Sequence, residues 1–236
     1  MQVKLTPRLK KIAEMVPKSS IVADIGTDHG YISIYLVKNK ICPMVIASDV
    51  NKKPLQSAME NIKFNGLEDK IITRLGSGLE VLKPNEVDTI IIAGMGGLLI
   101  AELLDRCPDV TKTVNTFILQ PMQAQEQLRA YLVDKGYKIE EDNLVKEDHK
   151  IYEVLRVTRG HQVVEDEIFF EIGFQIYQNP LPLAKEFLLV KLRILEDIIQ
   201  QVKNRDSEEV IVKYKATMEK FNKIQEVLLC LRGLKK

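Results

Sequence analysis

Ile21-Val22-Ala23-Asp24-Ile25-Gly26-Thr27-Asp28-His29-Gly30-Tyr31 is the stretch that decides the fold: an apolar run stops abruptly in an acidic turn punctuated by glycine. Residues 21–25 predict a buried strand, and Gly26 and Gly30 give the backbone the freedom of a tight strand-to-helix turn. A dinucleotide-binding loop carries Gly-x-Gly-x-x-Gly here, whereas this chain has Gly26-x-Asp28-x-Gly30 with a further carboxylate at Asp24. A pyrophosphate set against that loop would be repelled by two like charges. S-adenosyl-L-methionine has no phosphate and presents an ammonium and a sulfonium, so the acidic loop favours a methyl donor over NAD.

Outward from the loop, short apolar strands alternate with helical patterns as far as Gln120, the mark of a parallel sheet with crossover helices. The spacing predicts strands at 21–25, 44–48, 70–74, 88–93 and 116–119, and helices at 30–38, 53–65, 98–106 and 123–135. The continuously apolar fourth strand belongs in the middle of the sheet, and Pro121 interrupts the fifth. Two strands at 137–141 and 152–158 follow with no helical pattern between them, which suggests an antiparallel hairpin closing the sheet. The fold class is α/β, a Rossmann-like sheet with helices on both faces over residues 1–160.

Beyond Gly160 a helical period takes over, and a second domain is expected over 161–236. Ala184, Leu188, Leu192, Leu195, Ile199 and Val202 recur at intervals of three and four, and Ile211, Tyr214, Met218, Phe221, Leu228 and Leu231 repeat similarly. Between them lies a polar break at Asn204–Ser207, with Asp206 and Glu209 at capping-box spacing. The expectation is an antiparallel coiled-coil hairpin whose two stripes pack on each other.

With 236 residues and 45% hydrophobic content the chain can bury a substantial core. Its longest apolar or glycine run, Ile90–Ala101, falls well short of the roughly 20 residues that span a bilayer, so no membrane segment is expected. The polar, basic N-terminus has no following apolar segment of the secretory kind, which points to the cytoplasm. Cys42, Cys107 and Cys230 are odd in number and far apart; they suit buried thiols rather than a disulfide framework or a metal site. A net charge of +1 conceals polarity: residues 1–20 hold five basic side chains against Glu14, and residues 139–167 hold nine acids against four bases. Such asymmetry is compatible with a local anion-binding face, although solvated surface charge is the commoner cause.

Further candidates stand at successive strand ends. Asp49 closes the second strand 23 residues after Gly26, where a doubly wound fold places the carboxylate that accepts from a ribose diol. Gly76-Ser77-Gly78-Leu79 follows the third, its glycines permitting close backbone approach and Leu79 placed to cover an adenine ring. Gly94-Met95-Gly96-Gly97 follows the fourth and is expected to line the methyl-transfer site. Gln120-Pro121 ends the fifth, with a side-chain amide placed to face the same cleft. His29 either lines the pocket or caps the first helix.

Leu5-Thr6-x-Arg8-Leu9, Ala23–His29, Ile92–Gly97, Leu119-Gln120-Pro121 and Lys150–Leu155 together resemble the bacterial tRNA (adenine-22-N1)-methyltransferase family, TrmK, over nearly the whole chain. Two departures are Ser77, where relatives commonly carry Asp, and Met122, where they tend to carry Asn. The resemblance implies transfer of a methyl group from S-adenosyl-L-methionine to N1 of adenine 22 of tRNA, by a Rossmann-like domain with a helical tail. Adenine N1 bears a lone pair, so alignment and tolerance of a migrating positive charge matter more than a general base. Asp28 would suit that charge, Tyr31 would stack on or fence an adenine, and Met95 and Gly96 would flank the transfer. The cofactor set is Asp24, Gly26, Asp28, His29, Gly30, Asp49, Ser77, Gly78, Leu79 and Gly94. Gln120 and Pro121 would meet the substrate, while Arg8, Lys10 and Lys11, then Lys213, Lys215, Lys220 and Lys223, would hold tRNA phosphates outside the pocket. The alternatives are a class I methyltransferase for another RNA, a protein or a small molecule, and a non-catalytic RNA-binding protein on the same fold. A helical hairpin can close on itself or on a second copy, which fits a monomer or a weak homodimer.

Overall fold

The computed structural model describes residues 4–202 and 208–233. The chain divides into two compact units, Met1–Val163 and Val164–Lys236. The first is built on a seven-stranded sheet of β1 (Val22–Ile25), β2 (Val45–Asp49), β3 (Ile71–Leu75), β4 (Thr89–Met95), β5 (Thr116–Pro121), β6 (Tyr137–Glu147) and β7 (Lys150–Arg159), in the order β3-β2-β1-β4-β5-β7-β6. β1 to β5 are parallel; β7 joins β5 antiparallel and pairs with β6 as a hairpin. The α/β class and the closing hairpin follow the sequence pattern.

The helices of this unit are α1 (Pro7–Glu14), α2 (Tyr31–Lys38), α3 (Lys52–Phe64), α4 (Gly97–Arg106), α5 (Pro108–Thr111) and α6 (Gln125–Asp134). Right-handed crossovers that step outward in opposite directions from β1 and β4 put their helices on opposite faces of the sheet. One buried cluster joins Ile12, Ile34, Leu36, Val45, Ala58, Ile62 and Ile91, so α1, α2 and α3 share a core against the sheet. The strand order reverses between β1 and β4, and a doubly wound sheet opens its ligand crevice at that point.

Several elements differ from the sequence reading. Residues Pro7–Glu14, to which periodicity assigns no element, form a helix with Pro at its first turn, and the Thr6 hydroxyl accepts from the Leu9 N–H at 3.5 Å. β5 runs through Pro121 instead of stopping before it. The hairpin strands are longer than the apolar alternation indicates, because charged residues there are buried as partners. Arg129 of α6 is completely enclosed, and its Nε and Nη2 each donate to Asp142 at 2.8 Å while Nη2 also donates to Glu153 at 2.6 Å. Two acids of the acidic stretch are therefore interior, not solvated surface.

The second unit contains α7 (Ile168–Ile172), a 3-10 turn at Ile176–Gln178, α8 (Leu181–Val202) and α9 (Glu208–Gly233). α8 and α9 pack on each other. Ala184, Leu188, Leu192, Leu195 and Ile199 are buried as the period predicts, and so are Leu228 and Leu231. Ile211 departs from its stripe and is exposed, while Ile224 and Val227 are buried. The side chains of Val202 and Glu209, and the polar break with Asp206, lie outside the described residues. Lys191 and Lys220 pair with Glu171 at 2.6 and 3.4 Å, and Lys223 pairs with Asp166 at 3.0 Å. Among the described residues no helix is long and apolar enough to cross a membrane. Of the three thiols only Cys42 is buried, which pushes its pKa up to about 12; Cys107 is half-buried and Cys230 exposed.

Candidate active site

Two cavities open along the carboxyl ends of the parallel strands and share Gly26, Ala93 and Gly94. The first, about 290 Å³, is lined by the ends of β1, β2 and β4 and the turn after β3, with Leu99 and Leu103 of α4 closing it. Asp49 stands at the end of β2, where its Oδ1 accepts from the Asn51 N–H at 2.7 Å; a carboxylate retains further lone pairs for other donors. Ser48 Oγ, buried in the same wall, has no hydrogen-bond partner. At Gly94 (φ +79°) the space a Cβ would take is open, whereas a Cβ on Gly26 (also φ +79°) would run into the Met95 methyl group. An orphaned hydroxyl, a strand-end carboxylate and a glycine-lined wall fit the ribose and the backbone-hugging part of a nucleoside.

The second cavity, about 410 Å³, is lined by Thr6, Arg8 and Leu9 on one side and by Asp24 and Thr27–Ile32 on the other. Asp28 is the open carboxylate here, with 73% of its side chain exposed, and its Oδ2 lies 3.4 Å from His29 Nε2. The His29 ring stacks on Tyr31 with 5.2 Å between centroids. His29 does not cap α2; Gly30, at φ +71°, occupies the cap position without a side-chain bond.

Asp24 does different work. It is buried, and its Oδ2 accepts from Ser33 Oγ at 2.7 Å and Thr27 Oγ1 at 2.9 Å, which ties the loop to α2. Burial pushes its pKa up, the two hydroxyls pull it down, and nearby Asp49 adds to the rise. The charge that opposes a pyrophosphate is thus displayed by Asp28 and Asp49.

Ser77 and Gly78 line the first cavity, but Leu79 does not: it is 1% exposed and turned into the core by the 3-10 turn Gly78–Val81. Leu103 takes the place expected of it and lies against Gly78. Met95 lines the first cavity, and Gly96 is the cap residue of α4. Gln120 and Pro121 are both buried, so neither faces the cleft.

Arg8 is the larger correction. Instead of standing outside, it lines the second cavity. Its Nη1 donates to Gln120 Oε1 at 2.6 Å and its backbone N–H to Glu147 Oε2 at 2.9 Å, while the guanidinium lies 5.2 Å from the centre of the Tyr152 ring. The hairpin tip captures the start of α1 and turns the side chain inward. Lys10 stays outside, paired with Glu14 at 3.8 Å, and Lys11 is half-buried. Val50, Asn51, Leu99 and Leu103 are lining residues that sequence reasoning missed. The first two follow Asp49 directly, and the two leucines share an i, i+4 face of α4.

The Methyltransferase domain family matches this chain over residues 5–155. The tRNA (adenine(22)-N(1))-methyltransferase of Bacillus subtilis is 34% identical, with 96% of this chain and 98% of the relative covered. The crystal structure of the B. subtilis m1A22 tRNA methyltransferase TrmK superposes with a TM-score of 0.87 at 31% identity, covering 96% of this chain and 99% of that one. A Streptococcus pneumoniae protein, Sp1610, solved in complex with S-adenosyl-L-methionine, gives a TM-score of 0.83 at 30% identity, covering 95% and 100%. The chain belongs to the tRNA (adenine(22)-N(1))-methyltransferase family, TrmK.

Proposed function

We propose that this protein methylates N1 of adenine 22 in tRNA, with S-adenosyl-L-methionine as donor. The observation that carries the reading is the pair of adjoining cavities at the switch point, one fitted to a nucleoside and the other flanked by Asp28, Tyr31 and Arg8. When bound, S-adenosyl-L-methionine supplies an electrophilic methyl group on a sulfonium. Asp49 would accept from its ribose hydroxyls, with Ser48 and Ser77 nearby, and the open side of Gly94 lets it approach the sheet. Asp28 would face its cationic end, and Arg8 its carboxylate.

N1 needs no deprotonation before attack, so the chain's contribution is alignment and a matched field. Asp28 would stabilise the positive charge as it moves to the base, and Tyr31, on the first turn of α2 beside His29, gives a target adenine a face to stack on. N1 lies on the Watson–Crick edge, so the adenine must leave its pair to react. Residues 1–160 are read as the catalytic domain and 161–236 as a helical domain that grips RNA, acting in the cytoplasm. Lys10 and Lys11, together with exposed Lys213 and Lys215, are the phosphate contacts of this reading.

Incubation with labelled S-adenosyl-L-methionine and total tRNA tests it. Label should pass to tRNA, and Asp28→Ala should abolish transfer while the protein stays folded. A wild-type protein that binds the donor and leaves tRNA unlabelled, yet labels a protein or small-molecule fraction, would replace the reading.

A further inference from the structure

Gln120 stands behind the wall of the second cavity rather than in it. It is completely buried, and its amide has a fixed sense: Nε2 donates to the Pro121 carbonyl at 2.9 Å, so Oε1 is the acceptor. That one oxygen takes both Arg8 Nη1 at 2.6 Å and the backbone N–H of Gly94 at 3.1 Å. The two donors come from distant parts of the chain, the start of α1 and the turn at the end of β4, and both line the second cavity. Glu147 Oε1 is 4.0 Å from Arg8 Nε, and Nε itself is buried with no hydrogen-bond partner. The short bond to Gln120 and the face of the Tyr152 ring therefore hold the guanidinium in place.

We infer that Gln120 is a positioning residue: it touches neither donor nor acceptor, and it acts by holding the Arg8 guanidinium and the Gly94 turn in one register. The inference rests on the reading of the second cavity as part of the methyl-donor site. A hydrogen bond from a charged donor is stronger than a neutral one, and losing its buried acceptor leaves the donor unsatisfied. Removing Oε1 frees Arg8 to leave the cavity and strands the Gly94 N–H.

Calorimetric binding of S-adenosyl-L-methionine is the first readout. Gln120→Leu should weaken it about tenfold or more, the scale of a lost bond to a charged group. Gln120→Glu, which keeps acceptor oxygens for both donors, should stay within about threefold of wild type. Added to Arg8→Ala, Gln120→Leu should cost less than about threefold more, since nothing remains to be positioned. Additive losses in the double variant, or unchanged affinity in Gln120→Leu, overturn the inference. The Gly94 amide is a second readout that needs no ligand: its hydrogen exchange, followed by NMR, should quicken about tenfold or more in Gln120→Leu and not in Gln120→Glu. Equal exchange in all three proteins overturns the brace, whereas a wild-type protein that binds no donor refutes only the methyl-donor reading. If Gln120→Leu does not fold, Gln120→Met, which fills the space without an acceptor oxygen, takes its place: weakened affinity with quickened Gly94 exchange supports the inference, and wild-type values in a folded protein overturn it.

Discussion

Two carboxylates on neighbouring parallel strands have opposite uses. Asp49 ends a strand beside a cavity, so Asp49→Ala should weaken S-adenosyl-L-methionine binding about tenfold or more in calorimetry while the unfolding midpoint holds; unchanged affinity would remove the ribose from that wall. Asp24 is enclosed and its pKa is raised above the ordinary 3.8, burial being the main cause. A carboxyl raised on folding favours the fold while protonated and loses that contribution as pH rises through its folded pKa. Relative to Asp24→Asn, the wild type should therefore lose stability as pH rises above the ordinary carboxyl value of 3.8, as read from paired urea titrations. A difference that is flat across that range would mean that Asp24 carries no such shift. At this scale Asp24, Asp28 and Asp49 were legible as an acidic set, because strand ends and glycine turns are written locally. Which of them faces solvent was not, since Ser33 and Thr27 claim Asp24 through a contact that only the closed turn creates.

Elements were legible in proportion to how far their own periodicity decided them. β1 to β4 and the helices between them fall within a residue or two of the apolar pattern, and β1, β2 and most of β4 are buried as a continuous apolar run requires. The hairpin β6–β7 runs longer than its apolar alternation because its interior carries Asp142 and Glu153, whose partner Arg129 comes from α6. α1 escaped because its inward role depends on Glu147 and Gln120, 139 and 112 residues away from Arg8; the Thr6-Pro7 start was the available signal. Arg129→Ala leaves two carboxylates buried together and should destabilise the first unit by about 3–5 kcal/mol, whereas Arg129→Met in company with Asp142→Asn and Glu153→Gln should recover much of that loss. Thermal unfolding of the three proteins checks this. An Arg129→Ala protein as stable as wild type would show that the triad contributes only shape.

For the molecule as a whole, the net charge of +1 does not by itself predict RNA binding, and the reading depends on where the lysines stand. Lys220 and Lys223 are held by acids of their own unit, whereas Lys213 and Lys215 are exposed on α9. Replacing both by Glu should weaken tRNA binding and lower the slope of log affinity against log salt by about one per lysine, with donor affinity unchanged. A loss with an unaltered salt slope would point to packing within α9 instead. The substrate itself was readable only through family resemblance, because a cavity that suits one adenine suits many. The most direct test is to let the purified protein methylate an unmodified tRNA with labelled S-adenosyl-L-methionine and to map the modified nucleotide. The account predicts a single methyl group on N1 of adenine 22, lost when that adenine is replaced; a methyl group at another position, or transfer that survives the replacement, would contradict it.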